Sequence, residues 1–219
     1  MNKDIINKIK FDEKGLVPAI AQDAYTGAVL MQAYMNKEAL ELTLKTKRAH
    51  YFSRSRNSLW LKGETSGCYQ EVVAVMVDCD YDSVLLKVIQ KGNACHTGAY
   101  SCYFNTVEEF DAVFNSEIIY KDIACIKDRK MNPKEGSYTT YLLENGTDKI
   151  CKKIGEEASE VIIAAKNANN DELAGEIADL IYHTLVLMED RGLDIQSVFK
   201  VLDERSKRSR SRVYPTKAK

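Results

Sequence analysis

The chain has 219 residues, 45% of them hydrophobic and 29% charged, with 31 basic against 32 acidic side chains. That length allows one large domain or two small ones, and the apolar fraction excludes a disordered or fibrous protein. The balanced charge argues against a nucleic-acid coat, and no apolar run reaches the ~18–20 residues of a membrane span.

The N-terminal stretch MNKDIINKIKFDEK has neither an apolar core nor a small-residue cleavage site, so a cytoplasmic protein is expected. Leu16–Gln22 and Ala28–Met35 flank a turn containing Asp23, Thr26 and Gly27, which predicts a β-hairpin. Asn36 is placed to cap a helix from about Lys37 to Lys47. Short strand-like segments follow at His50–Arg54, Ser58–Lys62, Tyr69–Cys79 and Ser83–Gln90. Residues 1–114 therefore predict an α+β domain made mainly of antiparallel strands.

From Glu117 the hydrophobic period changes from 2 to 3.6. Ile118, Ile119, Ile123 and Ile126 mark one helix, and Ile150, Ile154, Ala158, Val161 and Ile162 a second. Leu173, Ile177, Leu180, Thr184 and Leu187 mark a third, from Asn170 to Gly192. Asp194 caps a fourth, which carries Ile195, Val198 and Leu202. Residues 115–219 predict an all-α bundle ending in a basic, solvated tail from Arg205.

The six cysteines divide into two groups. Cys68, Cys125 and Cys151 lie in apolar or mixed surroundings and are expected to be small core residues. Cys79, Cys95 and Cys102 fall within 24 residues of chain, beside acidic residues and His96. Thiolates suit Zn²⁺; with three of them, either His96 completes a closed site or a fourth position holds a water whose pKa falls to ~7. In VMVDCDYDS, Asp78, Asp80 and Asp82 are spaced to share one face of an extended chain, with Cys79 on the other. Three like charges on one face need solvent or a cation, and oxygen donors suit Mg²⁺. Gathering Cys79 with Cys95 and Cys102 would then call for a second subunit. Arg54 and Arg56 share a strand face, and the turn Lys62, Gly63, Glu64, Thr65, Ser66 offers donors for a phosphate cradle. Trp60 could stack on a base or fill the core.

The stretches LVPAIAQDAYTGAVLMQAYMN, SRSRNSLWLKGETSG, DCDYD and ACHTGAYSC resemble phosphoribosyl-AMP cyclohydrolase of histidine biosynthesis almost end to end. The resemblance implies Zn²⁺ on Cys79, Cys95 and Cys102, shared across a homodimer, and Mg²⁺ on Asp78, Asp80 and Asp82. It also implies that zinc-activated water opens the adenine ring of phosphoribosyl-AMP at N1–C6, with His96 as proton shuttle. Phe52 and Cys68 depart from the usual tryptophan and asparagine, which bears only on substrate contact.

In the second half, Glu157/Glu160 and Glu176/Asp179 are i,i+3 pairs on consecutive helices joined by a short loop. Converging carboxylates call for a cation, and oxygen-only donors again favour Mg²⁺. A di-iron bundle would want Glu-x-x-His on two helices, which is not present here. The run KKIGEEASE followed by EIADLIYH is similar to the all-α nucleotide pyrophosphohydrolases of the MazG type, and with SYTTYLLENG it looks like phosphoribosyl-ATP pyrophosphatase. This resemblance implies Mg²⁺ held by Glu157, Glu160, Glu176 and Asp179, with water attacking the α–β phosphate linkage. Glu156 would be a further ligand or orient the water, and Lys152 and Lys153 would contact phosphate. The expectation is a bifunctional hydrolase acting on two nucleotides. Its rivals are a zinc-stapled dimeric binding module and a nucleic-acid binder using Arg54, Arg56, Trp60 and the basic tail.

Overall fold

The computed structural model describes residues 3–110, 115–167 and 169–209, so most of the basic tail lies outside the described residues. The chain forms two compact units, the first ending at Glu117 and the second beginning at Ile118.

The first unit opens with a single helical turn, α1 (Lys3–Ile6), followed by the predicted hairpin of β1 (Val17–Asp23) and β2 (Val29–Met35). Helix α2 (Lys37–Thr46) starts where the Asn36 side chain accepts the Ala39 N–H, and it ends at Lys47 in the left-handed region. Strands β3 (His50–Ser53), β4 (Ser58–Leu61), β5 (Gln70–Val77) and β6 (Val84–Gln90) complete a sheet of order β4-β3-β2-β1-β6-β5. All its pairings are antiparallel except β1 with β6. The Ala49 N–H reaches Gln70 O and the Val72 N–H reaches Lys47 O, so the chain just before β3 joins the start of β5 and the sheet curls back on itself.

Alternation along the two central strands buries Val17, Ala19 and Ala21 of β1 and Val84, Leu86 and Val88 of β6. Leu30, Met35, Leu40 and Tyr51 complete that core. Burying each large aliphatic side chain contributes roughly 1.5–3 kcal/mol.

The second unit contains α3 (Glu117–Met131), α4 (Tyr138–Asn167), α5 (Asn170–Asp190) and α6 (Ile195–Ser209). Its core is Ile126, Leu142, Ile150, Leu185, Val186 and Met188. The predicted second helix begins earlier than its stripe: Tyr138–Asn145 is itself helical and continues into it through a break at Gly146 (φ 75°, ψ −172°). The stripes are also rotated: Ile162, Ile177 and Leu202 are exposed, and α5 buries His183, Leu185, Val186 and Met188 instead. Helical periodicity identifies an apolar face but not its partner. Cys125 and Cys151 are likewise exposed rather than core residues, and Cys68 is half-buried.

Candidate functional site

The acidic triplet of the first unit sits in a turn, not on an extended strand. β5 ends at Val77, and Tyr81 takes a positive φ of 67°, which folds the chain back toward β6. One Asp78 carboxylate oxygen accepts the N–H groups of Asp82 (3.0 Å) and Ser83 (3.1 Å). This bend, rather than strand alternation, brings the carboxylates of Asp78, Asp80 and Asp82 within 4.8 Å of one another on the exposed surface. The charge of Asp80, then the bond to Asp78, pushes the Asp82 carboxyl above its ordinary range, with Lys10 opposing. For Asp78, desolvation acts upward, but hydrogen bonds from Ser83 and Asp82 outweigh it and the carboxyl lies low. Three negative groups kept this close fit a divalent cation.

Cys95 and Cys102 meet near the end of the same unit, their side chains within hydrogen-bonding reach. Cys95 is buried, and the Thr97 hydroxyl donates to its sulfur at 3.1 Å. That bond, with the Thr97 and His96 N–H groups, draws the Cys95 thiol below its usual range. Burial, then the neighbouring Cys95, pushes Cys102 up, while the Lys62 ammonium partly offsets the rise. Thr97 was not singled out from sequence, although the glycine-bearing CHTG turn that presents its donors was visible there. His96 is exposed, its Nδ1 4.0 Å from Cys95 Sγ. Cys79 is exposed beside Asp80 and does not join the other two thiols: among the described residues, neither three-ligand cluster within 4.8 Å contains a cysteine.

The proposed phosphate and base residues lie in the β3–β4 turn, on β4 and in the turn after it. Arg54 stacks on Tyr34 (4.0 Å to the ring centroid), and Arg56 Nε donates to Ser53 at 3.3 Å. Trp60 packs against Tyr51 at 5.1 Å, on the core side of its two readings. Lys62 and Gly63 are buried, whereas Glu64, Thr65 and Ser66 are exposed in the following turn. Gly63 has φ 89°, and a Cβ there would lie 2.6 Å from the Cys68 carbonyl carbon, so that turn requires glycine. A separate groove of about 800 Å³, lined by Ile5, Leu40, Leu44 and Val72–Val77, is apolar and includes none of these residues.

In the second unit, Glu157 of α4 meets Glu176 and Asp179 of α5, their carboxylate oxygens within 4.8 Å. Glu157 is buried at 4% exposure, and Lys153 Nζ lies 2.6 Å from its Oε1. That lysine holds the Glu157 carboxyl below its ordinary range against the cost of burial. Glu160 hydrogen-bonds Glu157, and this contact, with desolvation and the charges of Glu157 and Glu176, pushes its own carboxyl up. Glu156 turns to Lys153 (3.0 Å) and Lys152 (3.5 Å) instead of the cluster. Both lysines thus face carboxylates, and Lys153 bridges two of them. His183 was seen in the sequence but given no role; it is buried, 3.7 Å from Glu157 Oε1.

Comparison with known proteins assigns a family to each half of the chain. The family described as Phosphoribosyl-AMP cyclohydrolase matches residues 31–104, and Phosphoribosyl-ATP pyrophosphohydrolase matches residues 122–206. The histidine biosynthesis bifunctional protein HisIE of Caldanaerobacter subterraneus subsp. tengcongensis is 51% identical over 203 residues, 93% of this chain and 98% of that protein. The chain belongs to this bifunctional family. The corresponding protein of Bacillus subtilis is 50% identical over 199 residues, covering 91% of this chain and 95% of its own length. That of Thermus thermophilus is 49% identical over 200 residues, covering 91% and 93%. As a member, the chain is a bifunctional hydrolase of histidine biosynthesis, with a cyclohydrolase domain in its first unit and a pyrophosphohydrolase domain in its second. Among the described residues no helix is long and apolar enough to cross a membrane.

Proposed function

We propose that the helical domain converts phosphoribosyl-ATP to phosphoribosyl-AMP and pyrophosphate on Mg²⁺, and that the sheet domain then opens the purine ring with zinc. The convergence of Glu157, Glu176 and Asp179 from two helices carries this reading, because like charges gathered around the buried Glu157 are costly without a cation.

In the helical domain Glu157, Glu160, Glu176 and Asp179 are the cation ligands, an all-oxygen set that suits Mg²⁺. A Mg²⁺ held there would offset the charge of the triphosphate and of the departing pyrophosphate. Lys153 holds Glu157 ionised, so the carboxylate is ready to bind a cation. Glu156, tied to Lys152 and Lys153 beside the cluster, is placed to orient the attacking water.

In the sheet domain Cys95 and Cys102 supply two soft donors from one chain, and Cys79 of a second copy supplies the third. A homodimer follows from that shortage. The exposed Ile162, Ile163, Ile177 and Ile181 of the helical domain also suit burial against another copy. Zinc held by these thiols would supply the acidity that makes a water nucleophilic near neutral pH. N1 of the substrate purine is alkylated, which leaves C6 electron-poor and open to attack. His96 moves the proton as the N1–C6 bond breaks. Asp78, Asp80 and Asp82 hold a Mg²⁺ for the substrate phosphate. Arg54, Arg56, Trp60 and the Lys62–Ser66 turn contact phosphate and base. The protein works in the cytoplasm on these two consecutive nucleotides.

Purified protein is incubated with phosphoribosyl-ATP, with and without chelator. Pyrophosphate release followed by ring opening, both lost on chelation and restored by Mg²⁺ and Zn²⁺, is the expected result. Absence of pyrophosphate release from metal-replete protein would overturn it.

A further inference from the structure

The carboxylates and lysines of the helical site bear on the triphosphate, which phosphoribosyl-ATP shares with ATP itself. Only the purine tells the two apart, because phosphoribosyl-ATP is alkylated at N1. Alkylation there makes the ring electron-poor and, with its exocyclic nitrogen protonated, positively charged near neutral pH. A selective site therefore needs an electron-rich surface about one sugar away from the carboxylates.

Such a surface stands at the head of α4. The Tyr138 hydroxyl lies 2.9 Å from His183 Nε2, and Nδ1 of the same ring lies 3.7 Å from Glu157 Oε1. One imidazole thus separates Tyr138 from the proposed cation ligand, much as one ribose separates a purine from its α-phosphate. Tyr138 is nearly parallel to Tyr182 (6.5 Å, 23°) on α5 and to Tyr141 (6.2 Å, 24°). Tyr182 is itself tied to the Thr139 hydroxyl at 2.6 Å. The row is held in place before any ligand arrives, which lowers the entropic cost of stacking on it. Yet Tyr138 is 46% and Tyr141 45% exposed, and both line a cavity of about 640 Å³ with Pro133, Ser137 and Glu144. That volume suits a nucleotide-sized ligand. Lys149 Nζ stands 5.5 Å from the Tyr141 centroid but does not line the cavity, so the cavity side of the ring stays open.

Two charges complete the subsite. Lys149 and Lys153 are four residues apart on α4 and share a face, Lys153 at Glu157 and Lys149 at the tyrosines. Among the described residues Lys149 has no ion pair, so its ammonium is free to turn from the ring to a phosphate. The Glu144 carboxylate likewise has no ion pair or hydrogen bond among the described residues, and on the cavity wall it suits a positively charged base.

We propose that Tyr138 and Tyr141 form the platform on which the purine of phosphoribosyl-ATP stacks, and that with Glu144 they select the N1-alkylated base over unmodified adenine nucleotides. This rests on the reading of Glu157, Glu176 and Asp179 as ligands of the cation on the phosphates. An aromatic face attracts a positive ring more than a neutral one, and the carboxylate adds to the difference.

The test uses AMP and 1-methyl-AMP, product analogues without and with N1 alkylation, as competitive inhibitors of pyrophosphate release by the metal-replete full chain. The unaltered protein is expected to bind 1-methyl-AMP ~2–30-fold more tightly than AMP. Tyr141→Ala is expected to weaken 1-methyl-AMP by ~5–100-fold, the usual worth of one aromatic ring under a base, and to narrow the preference. Tyr141→Phe keeps the aromatic face and is expected to keep the preference. Glu144→Gln, a change on an exposed side chain, should narrow the preference while AMP inhibits as before. Equal inhibition by the two analogues in the unaltered protein overturns the platform. So does an unchanged preference in folded Tyr141→Ala, or in Glu144→Gln where Tyr141→Ala does not fold. Mn²⁺ binding, read by electron paramagnetic resonance, separates this outcome from failure of the cation reading: Tyr141→Ala should bind Mn²⁺ as the unaltered protein does, and Glu157→Gln should bind less. If Glu157→Gln leaves Mn²⁺ binding unchanged, the cation reading falls and this inference with it.

Discussion

The two domains gather carboxylates by different means. On the sheet domain a five-residue turn holds three exposed aspartates together, and the compensation comes from N–H groups and the distant Lys10. On the helical domain the partners come from two long helices, Glu157 is buried, and Lys153 and His183 stand against it. The helical cluster therefore carries much of its compensation within one chain, whereas the thiols of the sheet domain are split between the exposed Cys79 and the Cys95–Cys102 pair.

The sharpest way to break the comparison is to remove one ligand from each site. Cys95→Ala is expected to abolish ring opening while pyrophosphate release persists, and Glu157→Gln to do the reverse, each read by assaying both products from one sample. If either variant lost both activities while remaining folded, the two sites would not be independent. The next largest effect is at His96. Its replacement by Asn is expected to slow ring opening by ~10²–10⁴-fold, the usual contribution of a positioned proton carrier. Rates measured with zinc content held equal separate that loss from loss of metal; an unchanged rate would remove His96 from the chemistry.

A stability variant sharpens the comparison from the fold side. Gly63→Ala places a Cβ 2.6 Å from backbone at a positive φ. Such strain costs about 2 kcal/mol, which for a domain of this size lowers its melting temperature by roughly 8–16 °C. Trp60, the single tryptophan, sits in the sheet domain and reports its unfolding by fluorescence. Pyrophosphate release should keep its native temperature profile; a parallel loss would show that the domains unfold as one.

How much of this was legible in the sequence differs between the halves. The hairpin at Asp23–Gly27, the Asn36 cap and the α5 start at Asn169–Asn170 were readable because each depends on local chemistry. The meeting of Glu157 with Glu176 and Asp179 was also readable, since i,i+3 spacing and a short loop leave few other arrangements. The acidic turn was misread as a strand because alternation and a turn give the same spacing, and only the positive φ of Tyr81 separates them. The helix before Gly146 and the contact of Tyr138 with His183 depend on tertiary packing across 45 residues, which no local pattern encodes.

The smallest effect concerns alkali, and it again distinguishes the domains. Tyr51 is completely buried in the sheet domain, its hydroxyl donating to Gln70 at 2.7 Å, and burial holds its pKa well above the ordinary value near 10. Tyr100 is pushed up to about 12 by burial and then by Asp23. Below pH 10 both folded and unfolded chains keep these protons, so the two groups cost nothing. Above pH 10 the unfolded chain loses them first, and stability falls as pH rises toward the folded values, by up to ~1.4 kcal/mol per pH unit for Tyr51. Tyr138 and Tyr182 of the helical domain are raised in the same direction, but neither is fully enclosed. The Trp60 emission maximum, followed through melts between pH 9 and 11.5, is therefore expected to shift at progressively lower temperature. Tyr51→Phe should flatten that dependence while lowering stability at neutral pH through the unpaired Gln70 Oε1. A steep alkaline loss that persists in Tyr51→Phe would mean that another group, not this enclosed phenol, sets the limit.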